Sequence, residues 1–184
     1  MSMNLRFYTV YDSDIDDIIQ EPMRLNMLYY GEILDTTALD ELEKSEKESI
    51  VKWIPKIKSD IFYIGSMFQA LHYLLTLETE WGKGAFPLNF LTGQRLDIGE
   101  IGWGRATFYR SNDVIQISDT LESLDYEEVE KRFNADFFNE KEIYPKGYKW
   151  IASNSKGLLV KLKEITDFIN SAKYRNLGMY RVLV

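Results

Sequence analysis

Apolar residues cluster at the two ends of the chain in short runs of strand formers. Leu5 to Val10 reads as a strand, with Phe7, Tyr8, Thr9 and Val10 as strand formers. Gly178 precedes a second such run, Met179 to Leu183. Between these runs the apolar period changes to three and four residues. Asp12 or Ser13 caps a short helix to about Gln20, with Ile15, Ile18 and Ile19 inward, and Pro22 ends it. Acids at Asp14, Asp16 and Asp17 suit the positive end of that helix. Residues 23–35 show no clear period, and Gly31 breaks them. Thr36 or Thr37 opens a charged helix to about Ile54, with Leu39, Leu42, Ile50 and Trp53 on its apolar side and Pro55 behind it. Ile61 to Tyr63 fits a short strand or the lead-in to the next helix.

The clearest helical stripe is Ile64, Met67, Phe68, Leu71, Leu74 and Leu75, which predicts a helix over 64–77. Residues 82–92, with Gly82, Gly84 and Pro87, read as a loop. The stretch from Gly93 to Leu124 reads as a Gly-rich loop, a strand over 105–109, Ser111 as an N-cap, and an amphipathic helix through Val114, Ile117, Leu121 and Leu124. Asp125 caps a helix from Tyr126 to Phe133. Residues 134–150 are irregular and aromatic, and a last helix runs from about Ser155 to Ala172. Terminal strands with helices between them predict an α/β domain: a small mixed sheet flanked by helices on both faces, in three layers. Residues 1–184 are expected to form one domain. The apolar C-terminal strand is expected inside the sheet, and both terminal strands are expected in one sheet.

Charge is unevenly spread. The net charge is −7. Residues 12–48 hold 12 acids and 3 bases, whereas residues 141–184 hold 9 bases and 3 acids. An acidic chain is a poor partner for phosphate backbones, so no nucleic acid is expected. No apolar run has the length of a membrane span, and the N-terminus lacks a secretory h-region. There is no cysteine. That excludes disulfides, thiolate metal sites and cysteine nucleophiles, and fits a cytoplasmic protein.

Few residues offer chemistry. His72 is the only histidine. A catalytic triad would need it beside a nucleophile and an orienting acid, yet no G-x-S-x-G motif is present. The preferred reading makes His72 a half-buried structural residue bonded to a loop backbone. With one His and no Cys, a metal site would need carboxylates. Asp12-x-Asp14-x-Asp16 starts like a calcium loop, but Asp17 stands where glycine is needed, so no metal is expected. Gly102-Trp103-Gly104 precedes a strand rather than a helix, and no Walker-type lysine follows. No cofactor is expected. Glu100, Trp103, Arg105 and Tyr109 could line one polar cleft with His72, and Tyr144 is added as a sixth candidate lining residue.

Four motifs together resemble the YfbM-like family of small bacterial proteins, grouped as a domain of unknown function. They are Met1-Ser2-Met3 before a strand; Phe68 with Leu71-His72 and Leu74-Leu75-Thr76; Pro87-Leu88, Gly93, Trp103-Gly104 and Leu121 to Asp125; and Phe133 with Ile143-Tyr144-Pro145. They span most of the chain. Departures fall at Phe68, where the family often has Trp, at Leu77, where it has Gly, and at Gly104-Arg105-Ala106, where it has Gly-Pro-Ala-Arg. An acidic insertion fills residues 23–60. The resemblance implies a compact three-layer α/β fold and no particular reaction. Three functions follow as expectations: a non-catalytic protein binding another protein or a small polar ligand; an enzyme on a small polar substrate with His72 as acid or base and Glu100 and Arg105 as partners; or an acidic, toxin-neutralising partner of a basic protein through residues 12–48.

Overall fold

The computed structural model describes residues 3–33, 37–40, 42–93, 95–101 and 104–184, apart from the side chains of Ala38 and Asp97. The strands are β1 (Leu5–Val10), β2 (Ile61–Gly65), β3 (Leu96–Ile101), β4 (Gly104–Tyr109) and β5 (Gly178–Leu183). They form one sheet in the order β2-β1-β5-β4-β3. The two terminal strands pair directly, Leu5 opposite Leu183 through Val10 opposite Gly178. The apolar C-terminal strand is thus the middle strand, as its composition predicts. Every pairing is antiparallel, so the α/β architecture is as expected while the sheet itself is not mixed.

Period-two alternation sorts β1 onto two faces. Leu5 and Phe7 join a large core with α5 (Phe68–Thr76), α6 (Ser111–Glu122) and α9 (Asn154–Tyr174). Tyr8 and Val10 join a smaller core with α1 (Asp12–Gln20) and α2 (Arg24–Tyr30). Short helices α7 (Tyr126–Lys131) and α8 (Ala135–Glu140) extend the larger layer. Helices therefore lie on both faces, in three layers.

Tertiary pairing moved several boundaries. Residues 61–65 pair with β1, so Ile64 belongs to a strand and the following helix starts only at Phe68. The expected helix over 36–54 is instead α3 (Thr37–Asp40) and α4 (Lys44–Val51). Glu43, in extended conformation, accepts the start of α4 through a reciprocal cap with Glu46. The Gly-rich loop contains β3, which pairs with β4 as a hairpin. Ser111 is the first residue of α6, not its cap: Arg110 is the N-cap, and its N–H donates to Asp113 at 3.2 Å. Ser111 instead donates from N and Oγ to the Asp12 carboxylate, at 2.9 and 2.7 Å. Asp12 is thereby taken up by α6, and Tyr11 is the N-cap of α1, without a side-chain bond. Asp125 caps α7 as expected, accepting from Glu127 N and Glu128 N. No helix among the described residues is long and apolar enough to cross a membrane.

Candidate functional site

The large-core face of the sheet holds an unexpected cation. Arg181 stands in β5 between Met179 and Leu183 and is 4% exposed. Its neighbours across the ladders are Phe7 on β1 and Thr107 on β4. The guanidinium donates to Leu91 O, to Gly93 O at 3.1 Å and to Thr107 Oγ1 at 2.8 Å. Among the described residues no carboxylate pairs with it. The ring of Trp81 covers it, with Cζ 5.5 Å from the ring centroid. A buried cation without a counter-ion is costly, and carbonyl dipoles with an aromatic face offset part of that cost.

The segment 81–93 that closes over Arg181 is held by polar groups beneath it. Thr92 Oγ1 lies 3.0 Å from His72 Nδ1 and accepts Gly82 N–H at 3.1 Å. Tyr109 OH donates to Phe90 O at 2.6 Å. His72 is wholly buried rather than half-buried, because this segment seals it against α5. Burial, helped by the Arg181 charge, lowers its pKa from 6.5 to about 4. A hydrogen bond with the Glu80 backbone acts in the opposite direction without offsetting them. His72 is therefore neutral near pH 7.

On the outer side of Trp81 is a cleft of about 330 Å³. Phe68 forms its floor, between Trp81 (5.5 Å, edge-on) and Tyr144 (5.2 Å, tilted). Met3, Gln69, Lys141, Glu142 and Lys146 complete it. The inner polar groups are already engaged. Gln69 accepts Tyr144 N–H at 2.8 Å and donates to Thr79 O at 2.9 Å. Tyr144 OH accepts Met3 N–H at 2.5 Å. Trp81, by contrast, is 47% exposed, and both lysines are exposed at the rim. The cleft thus offers an aromatic floor fixed by hydrogen bonds and a rim with Lys146, the Glu142 carboxylate and Lys141, whose ammonium also pairs with Glu140 at 3.1 Å.

The six residues expected to share a pocket are distributed over three places. His72 and Tyr109 meet through the 90–93 segment, both wholly buried. Tyr144 lies in the Trp81 cleft. Glu100 and Arg105 face each other across the β3–β4 hairpin, both exposed. Trp103 and Gly102 lie outside the described residues. The three early aspartates diverge: Asp12 binds Ser111, Asp16 pairs with Arg110 at 2.7 Å, and Asp14 is buried with Oδ2 accepting Lys56 N–H. Desolvation pushes the Asp14 carboxyl pKa up. Among the described residues no group of three or more His, Asp or Glu side chains is placed to hold a metal. Arg181, Trp81, Lys141 and Lys146 were not legible as site residues. The one available signal was an arginine inside an otherwise apolar terminal strand.

Comparison with solved structures gives a match along nearly the whole length. The crystal structure of YfbM, a protein of unknown function from Escherichia coli, superposes with a TM-score of 0.64 at 19% identity, covering 98% of this chain and 99% of that one. At that identity the likeness shows the fold. No curated protein matches the chain. The family model described as "Domain of unknown function (DUF1877)" matches residues 1–180, and the chain belongs to that family.

Proposed function

We propose that this protein is a non-catalytic, cytoplasmic binding protein whose residues 1–184 form one domain, and that its ligand is a small planar anion held in the Trp81–Tyr144 cleft. The observation that carries this reading is the half-exposed Trp81 ring beside two exposed lysines, over a floor whose hydrogen bonds are already made. A fixed floor loses little conformational entropy when a ligand arrives, so a small contact area suffices. Aromatic faces take the planar body, and the lysines orient the charge. Of the residues expected to line a pocket, Tyr144 stands in this cleft. His72 and Tyr109 stand behind it and hold the segment that carries Trp81. Glu100 and Arg105, on the hairpin, take no part.

Catalysis by His72 has less support. It is buried and neutral, and its ring contacts are the Thr92 and Thr76 hydroxyls and the Glu80 backbone, not an acid. A partner surface over residues 12–48 also has less support, because Asp12, Asp16, Asp17, Asp40, Glu46 and Glu48 are each occupied within the chain.

Benzoate and its neutral analogue benzamide test the reading by titration calorimetry. Benzoate is expected to bind saturably and more tightly than benzamide. In the Lys141→Met/Lys146→Met double variant it should bind more weakly at an unchanged melting temperature, since both side chains are exposed. Equal binding of acid and amide, or no saturable binding of either, would contradict the proposal.

A further inference from the structure

The cleft and the buried arginine share one side chain, that of Trp81. Trp81 lines the cleft, and its ring also lies over the Arg181 guanidinium. Arginine has five N–H donors. Three bonds, to Leu91 O, Gly93 O and Thr107 Oγ1, leave two donors without a partner among the described residues. The charge is fixed in place by those bonds, and arginine stays protonated at any working pH.

We infer that Trp81 is a lid and that Arg181 is an anion-binding residue beneath it, reading the carboxylate or phosphate group of a ligand that enters the cleft. This rests on the cleft being the ligand site. A ligand that displaces the ring substitutes a full negative charge for an aromatic face. In a site walled by Phe68 and the segment 81–93, that contact is stronger than a lysine contact at the wet rim. The motion required is small. The Trp81 ring is half-exposed, and a change of its own rotamer is the motion the lid requires. The backbone on its C-terminal side is pinned. Gly82 (φ +78°) and Gly84 (φ +87°) take left-handed turns that side chains rarely adopt, and Gly82 N–H is held by Thr92. Thr92 in turn rests on His72, which stays uncharged beside Arg181 and so does not compete for the anion. His72 and Thr92 act here as positioning residues. Carboxylate and phosphate share the chemistry that Arg181 would read.

Nuclear magnetic resonance of the arginine Nε–H signals decides between a lid and a purely structural cap. In Trp81→Ala, which changes a half-exposed side chain and leaves Arg181 intact, inorganic phosphate should shift the Arg181 signal saturably. It should bind tighter than to wild type by about tenfold or more, the scale of one charge-assisted contact. In wild type, benzoate should shift the Trp81 indole and Arg181 signals together, whereas benzamide should leave Arg181 unmoved. No phosphate response of Arg181 in Trp81→Ala overturns the inference. Benzoate shifts confined to Tyr144, Lys146 and the Trp81 indole also overturn it, while leaving the cleft reading intact. If benzoate moves no cleft signal, the cleft reading fails, and the phosphate response of Trp81→Ala still decides whether Arg181 binds anions.

Discussion

His72 ties together the chemistry of single residues here, because its charge state is coupled to its burial. In the unfolded chain it titrates near 6.5, and in the folded chain near 4. Between these values the unfolded chain binds the extra proton, so folding stability falls as pH drops through that window. The loss should be on the order of 3 kcal/mol, most of it complete by about pH 4. Urea denaturation of wild type and His72→Gln at several pH values checks this. The variant should have a flatter profile between pH 6.5 and 4 and be less stable near pH 7, where one of its hydrogen bonds is lost. Parallel profiles would mean that His72 is hydrated or charged in the folded protein. The histidine's helix face was legible from its place beside the Leu71–Leu75 stripe. Its complete burial was not, since it depends on a segment that folds over it from twenty residues further along the chain.

Elements were legible where local pattern and tertiary demand agree. The first strand, the first helix and the strand over 105–109 lie within a residue of their expected bounds. They were misread where sheet pairing overrode local period, as at Ile64, or where an edge strand carries a glycine, as at Gly99 in β3. Ser111 shows a subtler failure. A serine before an apolar helix is a good cap by type. Here its hydroxyl and amide are claimed by Asp12, which fastens the start of α1 to the start of α6 across 99 residues of chain. This joint makes a clear prediction. Asp12→Ala leaves the Ser111 amide and hydroxyl without their acceptor and should cost about 2 kcal/mol, more than the roughly 1 kcal/mol of Ser111→Ala. The double variant should cost little more than Asp12→Ala alone, because the two side chains share one interaction. Additive losses in chemical denaturation would show that the pair does not act as a unit.

At the scale of the whole molecule, the sheet places the two chain ends at its centre and uses both faces for cores. From the apolar terminal strands it was readable that both lie in one sheet, with the C-terminal strand inside it. The cleft was not, because its parts come from Met3, the start of α5, the segment after it, and residues 141–146, which no local pattern connects. Arg181 was hidden for the same reason: its acceptors, Leu91 and Gly93, lie about ninety residues away. The cleft is proposed to bind a small planar anion. A crystal structure of the protein grown with benzoate tests it most directly. The benzoate ring is expected against Trp81, Phe68 and Tyr144, with its carboxylate directed to the lysines or, with the Trp81 ring turned outward, to Arg181. Benzoate bound elsewhere, with the cleft holding only solvent and Trp81 still over Arg181, would contradict it.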